Sequence, residues 1–257
     1  MSLEDEITDV VAKAMMGLGM DAGSLAEKAG IGVAGIEGIL RGDFDQDSLR
    51  KIAPALGLDA DALVDLPDYF PEKQEIPGVR RIELPYRQWT VNAWMVEAGG
   101  VKMLFDTGFG DDDVIRELGS ASPNVVLITH SHEDHVGGIG GLESSGVRVI
   151  YETEALAEST FDFGAISVRV VDLSGHKTPT AGYFIEGLGQ RILVAGDAIF
   201  AGSIGRCRST DAYGTAFINL RLVLGEAGSD CVILPGHGPA TTVAEELSSN
   251  PFHLGFG

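Results

Sequence analysis

An α/β fold preceded by a small all-α unit is predicted by three features of this 257-residue sequence. Residues 1–66 place apolar side chains at helical spacing and show no strand signal. Residues 67–78, "PDYFPEKQEIPG", carry three prolines, Pro67, Pro71 and Pro77, and read as a linker. From Val79 onward, short β-branched runs are separated by Gly and Asp and interrupted by helical stretches, the pattern of strands with intervening helices.

The elements follow in order. The helical part divides into "LEDEITDVVAKAMMGL", "DAGSLAEKAG", "GVAGIEGILRG", "DQDSLRKIAPALG" and "LDADALVDL". Leu49, Ile52, Ala53 and Leu56 fall on one helical face, and Asp21, Asp47 and Asp59 stand where N-caps belong. Residues 79–257 form the second unit. Its strands are predicted at "VRRIEL", "VNAWMVEA", "VKMLFDTG", "NVVLITH", "VRVIYE", "AISVRVVDL", "TAGYFIEG", "QRILVAGD" and "CVILPGHG", with helices at "DDDVIREL" and "AFINLRLVLGEAG". Trp89, Trp94 and Phe105 sit in strand patterns and read as core. Asp111 to Asp113 read as acidic residues favouring a helix N-terminus.

Charge and composition exclude several classes of function. A formal net charge of −20 repels nucleic acid and anionic membranes. The acidic start "MSLEDEITDVV" is unlike a signal peptide, and no apolar run reaches membrane-spanning length, so a soluble, cytoplasmic protein is expected. Two cysteines, Cys207 and Cys231, read as free thiols in a reducing compartment rather than a disulfide or zinc framework.

Chemistry concentrates in "ITHSHEDHVGG", residues 128–138, where His130, His132, Asp134 and His135 follow an apolar run. Extended chain puts His130 and His132 on one side, and a turn into helix brings Asp134 and His135 round, a spacing that suits ligands for two ions. Glu133 alternates away from them. Further ligands stand at strand ends or in Gly-flanked turns: His176 in "LSGHKTP", Asp197 in "LVAGDAIF" and His237 in "ILPGHGP". Convergence of these residues on one rim of the sheets makes a metal centre. His253 lies outside every such motif and reads as a tail-packing residue.

This motif set resembles that of the metallo-β-lactamase fold, an αββα sandwich of two mixed sheets flanked by helices, over roughly the last three quarters of the chain. The resemblance implies that His130, His132 and His176 hold one ion, that Asp134, His135 and His237 hold a second, and that Asp197 bridges them. It also implies that Asp106, in "LFDTG", orients a ligand histidine. "GDAIFAGSIGR" and "PGHGPATTVAEELSSNPF" look most like the glyoxalase-II-like hydrolases, compact bacterial type, which cleave thioesters; there Arg206 matches a basic residue that binds the glutathione part of the substrate. Two positions depart from that pattern: "GHKTPTAG" replaces the usual "GHTPG", and Arg208 stands where an aromatic is expected. Both departures touch the glutathione site and leave the metal ligands intact. Cys207, next to Arg206, is set aside as structural.

Two divalent ions, zinc by default with iron or manganese compatible with the same donors, would lower the pKa of a shared water to give hydroxide at neutral pH. Asp134 and Asp197 are the carboxylates nearest that chemistry. The expected activity is metal-dependent hydrolysis of a thioester or other activated ester on a small molecule. The alternatives are a persulfide dioxygenase-type mononuclear iron oxidoreductase of the same fold, using His130, His176 and Asp197, and a ligand sensor.

The sensor reading comes from the helical unit. "SLAEKAGIGVAGIEGILRGDFDQDSLRKIAPALGLDADAL" resembles the helix-turn-helix of phage-repressor-like domains, with the helix Val33–Leu40 in the groove-reading place. That helix offers Ala, Gly and Glu where base readers are Arg, Asn, Gln or Ser. Residues 1–66 also carry 13 acidic against 5 basic side chains, a balance that cannot neutralise phosphates. The expected use of the helical unit is therefore homodimerisation, docking or covering the metal site rather than nucleic-acid binding.

Overall fold

The structure, a computed structural model, describes residues 2–256. Five helices come first: α1 (Ile7–Gly17), α2 (Ala22–Ala29), α3 (Val33–Leu40), α4 (Gln46–Ile52) and α5 (Ala60–Asp65). Asp21 and Asp59 cap α2 and α5 through side chains that accept from Ser24 N and Ala62 N. The cap of α4 is Asp45, which accepts from Ser48 N, and not Asp47, which lies in the first turn. An N-cap must be extended while its carboxylate reaches the N3 amide, and Asp45 has that backbone.

The remaining elements are β1 (Val79–Tyr86), β2 (Trp89–Ala98), β3 (Val101–Phe105), α6 (Asp113–Leu118), β4 (Val125–Leu127), α7 (Glu133–Val136), α8 (Ile139–Ser144), β5 (Arg148–Ile150), α9 (Glu152–Glu158), β6 (Thr160–Asp162), β7 (Ser167–Asp172), β8 (Ala181–Glu186), β9 (Ile192–Gly196), β10 (Ile199–Phe200), β11 (Ser203–Ile204), α10 (Thr210–Ala227), β12 (Val232–Pro235), β13 (Thr241–Thr242) and α11 (Val243–Ser249). The order β1-β2-β3-β4-β5 makes one sheet and β13-β12-β9-β8-β7-β6 the other, both mixed.

Period-two alternation assigns each strand residue to a layer. Trp94, Val96, Met103 and Phe105 of the first sheet meet Val168, Tyr183, Val194 and Leu234 of the second in the central core. Their neighbours Ala93, Met95 and Leu104 point outward onto Val114 and Leu118 of α6 and Ile139 and Leu142 of α8. On the other outer face, Phe184, Leu193 and Ile233 pack on Leu220, Val223 and Leu224 of α10. The result is the αββα arrangement of the metallo-β-lactamase fold, with a helical region at its N-terminus.

That helical region shares its apolar core with the outer face of the second sheet: Val10, Val11, Ala14, Leu25, Ile36 and Leu63 belong to the same buried cluster as α10. Close approach is built into the chain. A Cβ on Gly17 of α1 would lie 2.3 Å from the ring of Tyr213 on α10, and one on Gly202, in the β10–β11 turn, 2.7 Å from Leu66. A buried carboxylate stitches the same junction. Glu246 of α11 accepts from Tyr69 Oη, Thr241 Oγ1, Asn250 Nδ2 and Gly202 N.

Several short elements depart from the sequence prediction. Helix α10 starts at Thr210, capped by Ser209, six residues before the predicted start, and α8, α9 and α11 were not anticipated. Glu152 begins α9 instead of ending a strand. Three- to seven-residue elements contain too few turns or alternations to show a period, and neighbouring layers decide their state. Trp89 also departs: it opens β2 at the sheet edge, half exposed, rather than entering the core.

Candidate metal centre

The central strands end at one rim, and the ligands leave from those ends. β4 stops at Leu127, Thr129 and His130 continue past it, and the single turn α7 swings Asp134 and His135 back towards His130. His176 lies in the β7–β8 loop, Asp197 directly after β9 and His237 two residues after β12. All seven converge. His130, His132, His176 and Asp197 form one set of donors and Asp134, His135 and His237 another, with the donor atoms of each set within 4.8 Å of one another.

Asp197 touches both sets. Its Oδ2 lies 3.4 Å from His176 Nε2, 3.9 Å from His130 Nε2 and 3.6 Å from His237 Nε2, while Oδ1 lies 3.2 Å from His135 Nε2. Asp134 Oδ2 lies 3.4 Å from His237 Nε2. His132 Nδ1 stands 3.0 Å from both His130 Nε2 and His176 Nε2. Three ring nitrogens meet at one point, an arrangement that neutral imidazoles satisfy by sharing ring protons and that a cation between them would satisfy with three lone pairs.

The outer nitrogens fix which atom faces inward. His135 Nδ1 donates to Asp106 Oδ2 at 2.7 Å, His176 Nδ1 to the Arg206 carbonyl at 3.0 Å and His237 Nδ1 to the Thr90 carbonyl at 2.8 Å. His130 Nδ1 meets Thr129 Oγ1 at 3.0 Å, and that hydroxyl donates to Asp106 Oδ2. Asp106 also accepts from Thr129 N, and it holds a left-handed backbone, φ 59°. A carboxylate there steers two ligand imidazoles at once. Thr129 has no motif of its own, and sequence reading passed over it.

Electrostatics divides the imidazoles into two groups. Burial pushes His130 and His132 below the usual histidine value and His176 down to about 4, so these three present neutral lone pairs. Burial also opposes charge on His135 and His237. There, however, carboxylates outweigh it: Asp197 and Asp106 hold His135 well above its usual value, and Asp197 and Asp134 lift His237 to about 9. Asp197 is itself fully buried, yet the surrounding imidazoles keep it well below the carboxylate range. His135 Nε2 and Asp197 Oδ1 are buried with no hydrogen-bond partner. Orphaned donor atoms this deep are costly unless a ligand claims them, and the donor set fits divalent metal.

A cavity of about 360 Å³ opens onto the centre. Its walls include Tyr86, Trp89, Arg206 and Arg208 from the sandwich and Glu4 and Lys13 from the helical region. Arg206 therefore lines the cavity over the centre, as do Trp89 and Arg208. Glu133 faces away, paired with Arg87, and His253 lies 3.4 Å from Asp59. Cys207 is buried, and that burial pushes its thiol up to about 11, which removes nucleophilic character at neutral pH.

Comparison with known proteins agrees with this geometry. Residues 86–174 match the Metallo-beta-lactamase superfamily, a span that includes His130 to His135 and stops just short of His176. The chain is 24% identical over 210 residues to "Probable metallo-hydrolase YqgX" of Bacillus subtilis, covering 67% of this chain and 97% of the relative. It is 28% identical over 183 residues to "Hydroxyacylglutathione hydrolase GloC" of Haemophilus influenzae, covering 58% and 85%. Among solved structures, that of TTHA1623 in a di-iron-bound form superposes with a TM-score of 0.52 at 26% identity, covering 72% of this chain and all of the other.

Proposed function

We propose that this chain, which has the metallo-β-lactamase fold and matches the Metallo-beta-lactamase superfamily over residues 86–174, is a dinuclear metal-dependent hydrolase that cleaves a thioester or other activated ester of a small molecule. The observation that carries this reading is the pair of donor sets joined through Asp197, with His135 Nε2 and Asp197 Oδ1 buried 3.2 Å apart between them and neither in a hydrogen bond. The similarity to hydroxyacylglutathione hydrolases favours a thioester. Zinc is the default for five imidazoles and two carboxylates, and iron and manganese suit the same donors.

His130, His132, His176 and Asp197 would hold one ion and Asp134, His135 and His237 the second. Divalent ions held there would lower the pKa of water towards neutrality and polarise a carbonyl oxygen. The chain's own residues supply the rest. Asp106 and the carbonyls of Arg206 and Thr90 accept from Nδ1 of His135, His176 and His237, which leaves Nε2 of these three rings facing inward. Asp134 and Asp197, both kept ionised below the usual carboxylate range, would neutralise cation charge. Trp89 and Tyr86 wall one side of the cavity and limit solvent at the reacting carbonyl, and Arg206 offers a guanidinium to an anionic part of the substrate. No serine or cysteine nucleophile is required.

The test is metal analysis of the purified chain followed by a panel of thioesters, lactones and phosphodiesters. About two metals per chain with thioester or ester turnover, lost in His130→Ala and Asp197→Ala, is the expected outcome. One iron per chain with oxygen uptake on glutathione persulfide would replace this reading with the dioxygenase one, and full activity in either variant would overturn the mechanism.

A further inference from the structure

The cavity over the metal centre has a wall that the αββα sandwich does not provide. Residues 3–13 run along its rim, and their placement is fixed by several contacts. Leu3 packs into the junction core beside Gly202, and Lys13, buried on α1, pairs with Asp5, donates to the Ile204 carbonyl and lies over the Phe200 ring. The Glu4 backbone comes within 3.3 Å of where a Cβ on Gly238 would stand, one residue beyond His237, so glycine there lets the segment close on the metal-ligand loop. Held this way, the Glu4 carboxylate lines the cavity with His176, Asp197 and His237. Its side chain is one quarter exposed, and its Oε1 lies 3.8 Å from His237 Nδ1, a nitrogen that already donates to the Thr90 carbonyl.

The charges in the cavity are therefore unevenly committed. Lys13 is spent on Asp5, and the Asp9 carboxylate caps the Glu6 amide. Glu4 makes no hydrogen bond and no ion pair with a lysine or arginine among the described residues, and the His237 imidazole lies 3.8 Å from it, whereas Arg206 and Arg208 offer guanidiniums with no ion pair to a carboxylate among the described residues. Burial pushes the Glu4 carboxyl up to about 7; a positively charged group beside it in the cavity keeps it ionised and is attracted to it, and a negative group is repelled. The formal net charge of −20 adds long-range attraction for cations.

We propose that Glu4 is a specificity-determining residue through which the helical region selects substrates bearing an ammonium group on the part that lies against the His237 side of the cavity. This rests on the hydrolase reading for the reaction but not for the binding. The test uses three thioether probes of one thiol and equal chain length, ending in trimethylammonium, methyl or carboxylate; a thioether cannot be hydrolysed. Binding to the full-length, metal-loaded chain is measured by calorimetry for wild type, Glu4→Gln and Glu4→Lys. Wild type should hold the ammonium probe roughly tenfold more tightly than the methyl probe, Glu4→Gln should bring that ratio near one, and Glu4→Lys should favour the carboxylate probe. No preference in wild type, no detectable binding of any probe, or equal weakening of all three in the variants overturns the proposal, the last because it marks a purely structural role. On the matching thioesters the effect should fall on KM. If the binding preference holds while no thioester is turned over, the hydrolase reading fails and the assignment of Glu4 stands.

Discussion

Gly236 is the position where the smallest change should do most to the centre. A Cβ there would lie 2.3 Å from Asp197 Oδ1 and 2.7 Å from His135 Cε1. Gly236 does not need a left-handed backbone, so alanine adds only a methyl group in the wrong place. The backbone cannot yield to relieve it, because Gly236 N donates to the Gly196 carbonyl at 2.9 Å and the Gly236 carbonyl accepts from Asn92 N at 2.7 Å. Ordinary contact therefore requires the carboxylate and the ring to retreat by about 1 Å, a displacement that in catalytic sites costs on the order of 100-fold. Asp197 and His135 belong to different donor sets, so both ions should be affected. Gly236→Ala should keep its far-ultraviolet circular dichroism, bind metal about 100-fold more weakly in chelator competition, and lose turnover in proportion. Wild-type affinity and stoichiometry in this variant would show that the two sets do not act as one centre.

Three further outcomes follow from the structure. Asp106→Asn turns an amide towards donors from Thr129 and His135, and should weaken metal binding by about 10- to 100-fold in the same competition assay, with wild-type affinity counting against its steering role. Burial lifts Glu246 to about 7, against the hydrogen bonds that favour its charge. A carboxylate raised in the folded state stabilises fully below its unfolded value near 4.5 and loses that contribution as pH rises through 7, so urea melts should show wild type losing up to about 3 kcal/mol relative to Glu246→Gln between pH 5 and 8. Parallel curves would refute this. Gly225, exposed within α10 with nothing near its missing Cβ, should give about 0.5–1 kcal/mol of stabilisation on Gly225→Ala, and a loss in the urea melt would show that the helix is not regular there.

The convergence of the seven candidate donors was legible because their signals are local: a polar residue at the end of an apolar run leaves the sheet where the strand stops, whatever the rest of the chain does. His130, Asp197 and His237 each follow such a run, and the fold needs only to align β4, β9 and β12 for them to meet. Asp106 was legible for the same reason, at the end of β3. Trp89 was misplaced by the same logic, since alternation in β2 says which face a residue takes but not that the strand's first residue overhangs the rim. Glu4 was beyond reach in a different way. Nothing near it in sequence marks it, because its position depends on Lys13, Gly17, Gly202 and Gly238 docking two units that look separable in the one-dimensional pattern. Sequence reading allowed the helical unit to cover the metal site but gave no residue for the task. The structure gives one, and it is a carboxylate held by the docking itself, so whatever loosens the junction at Gly17 should also move the wall of the cavity.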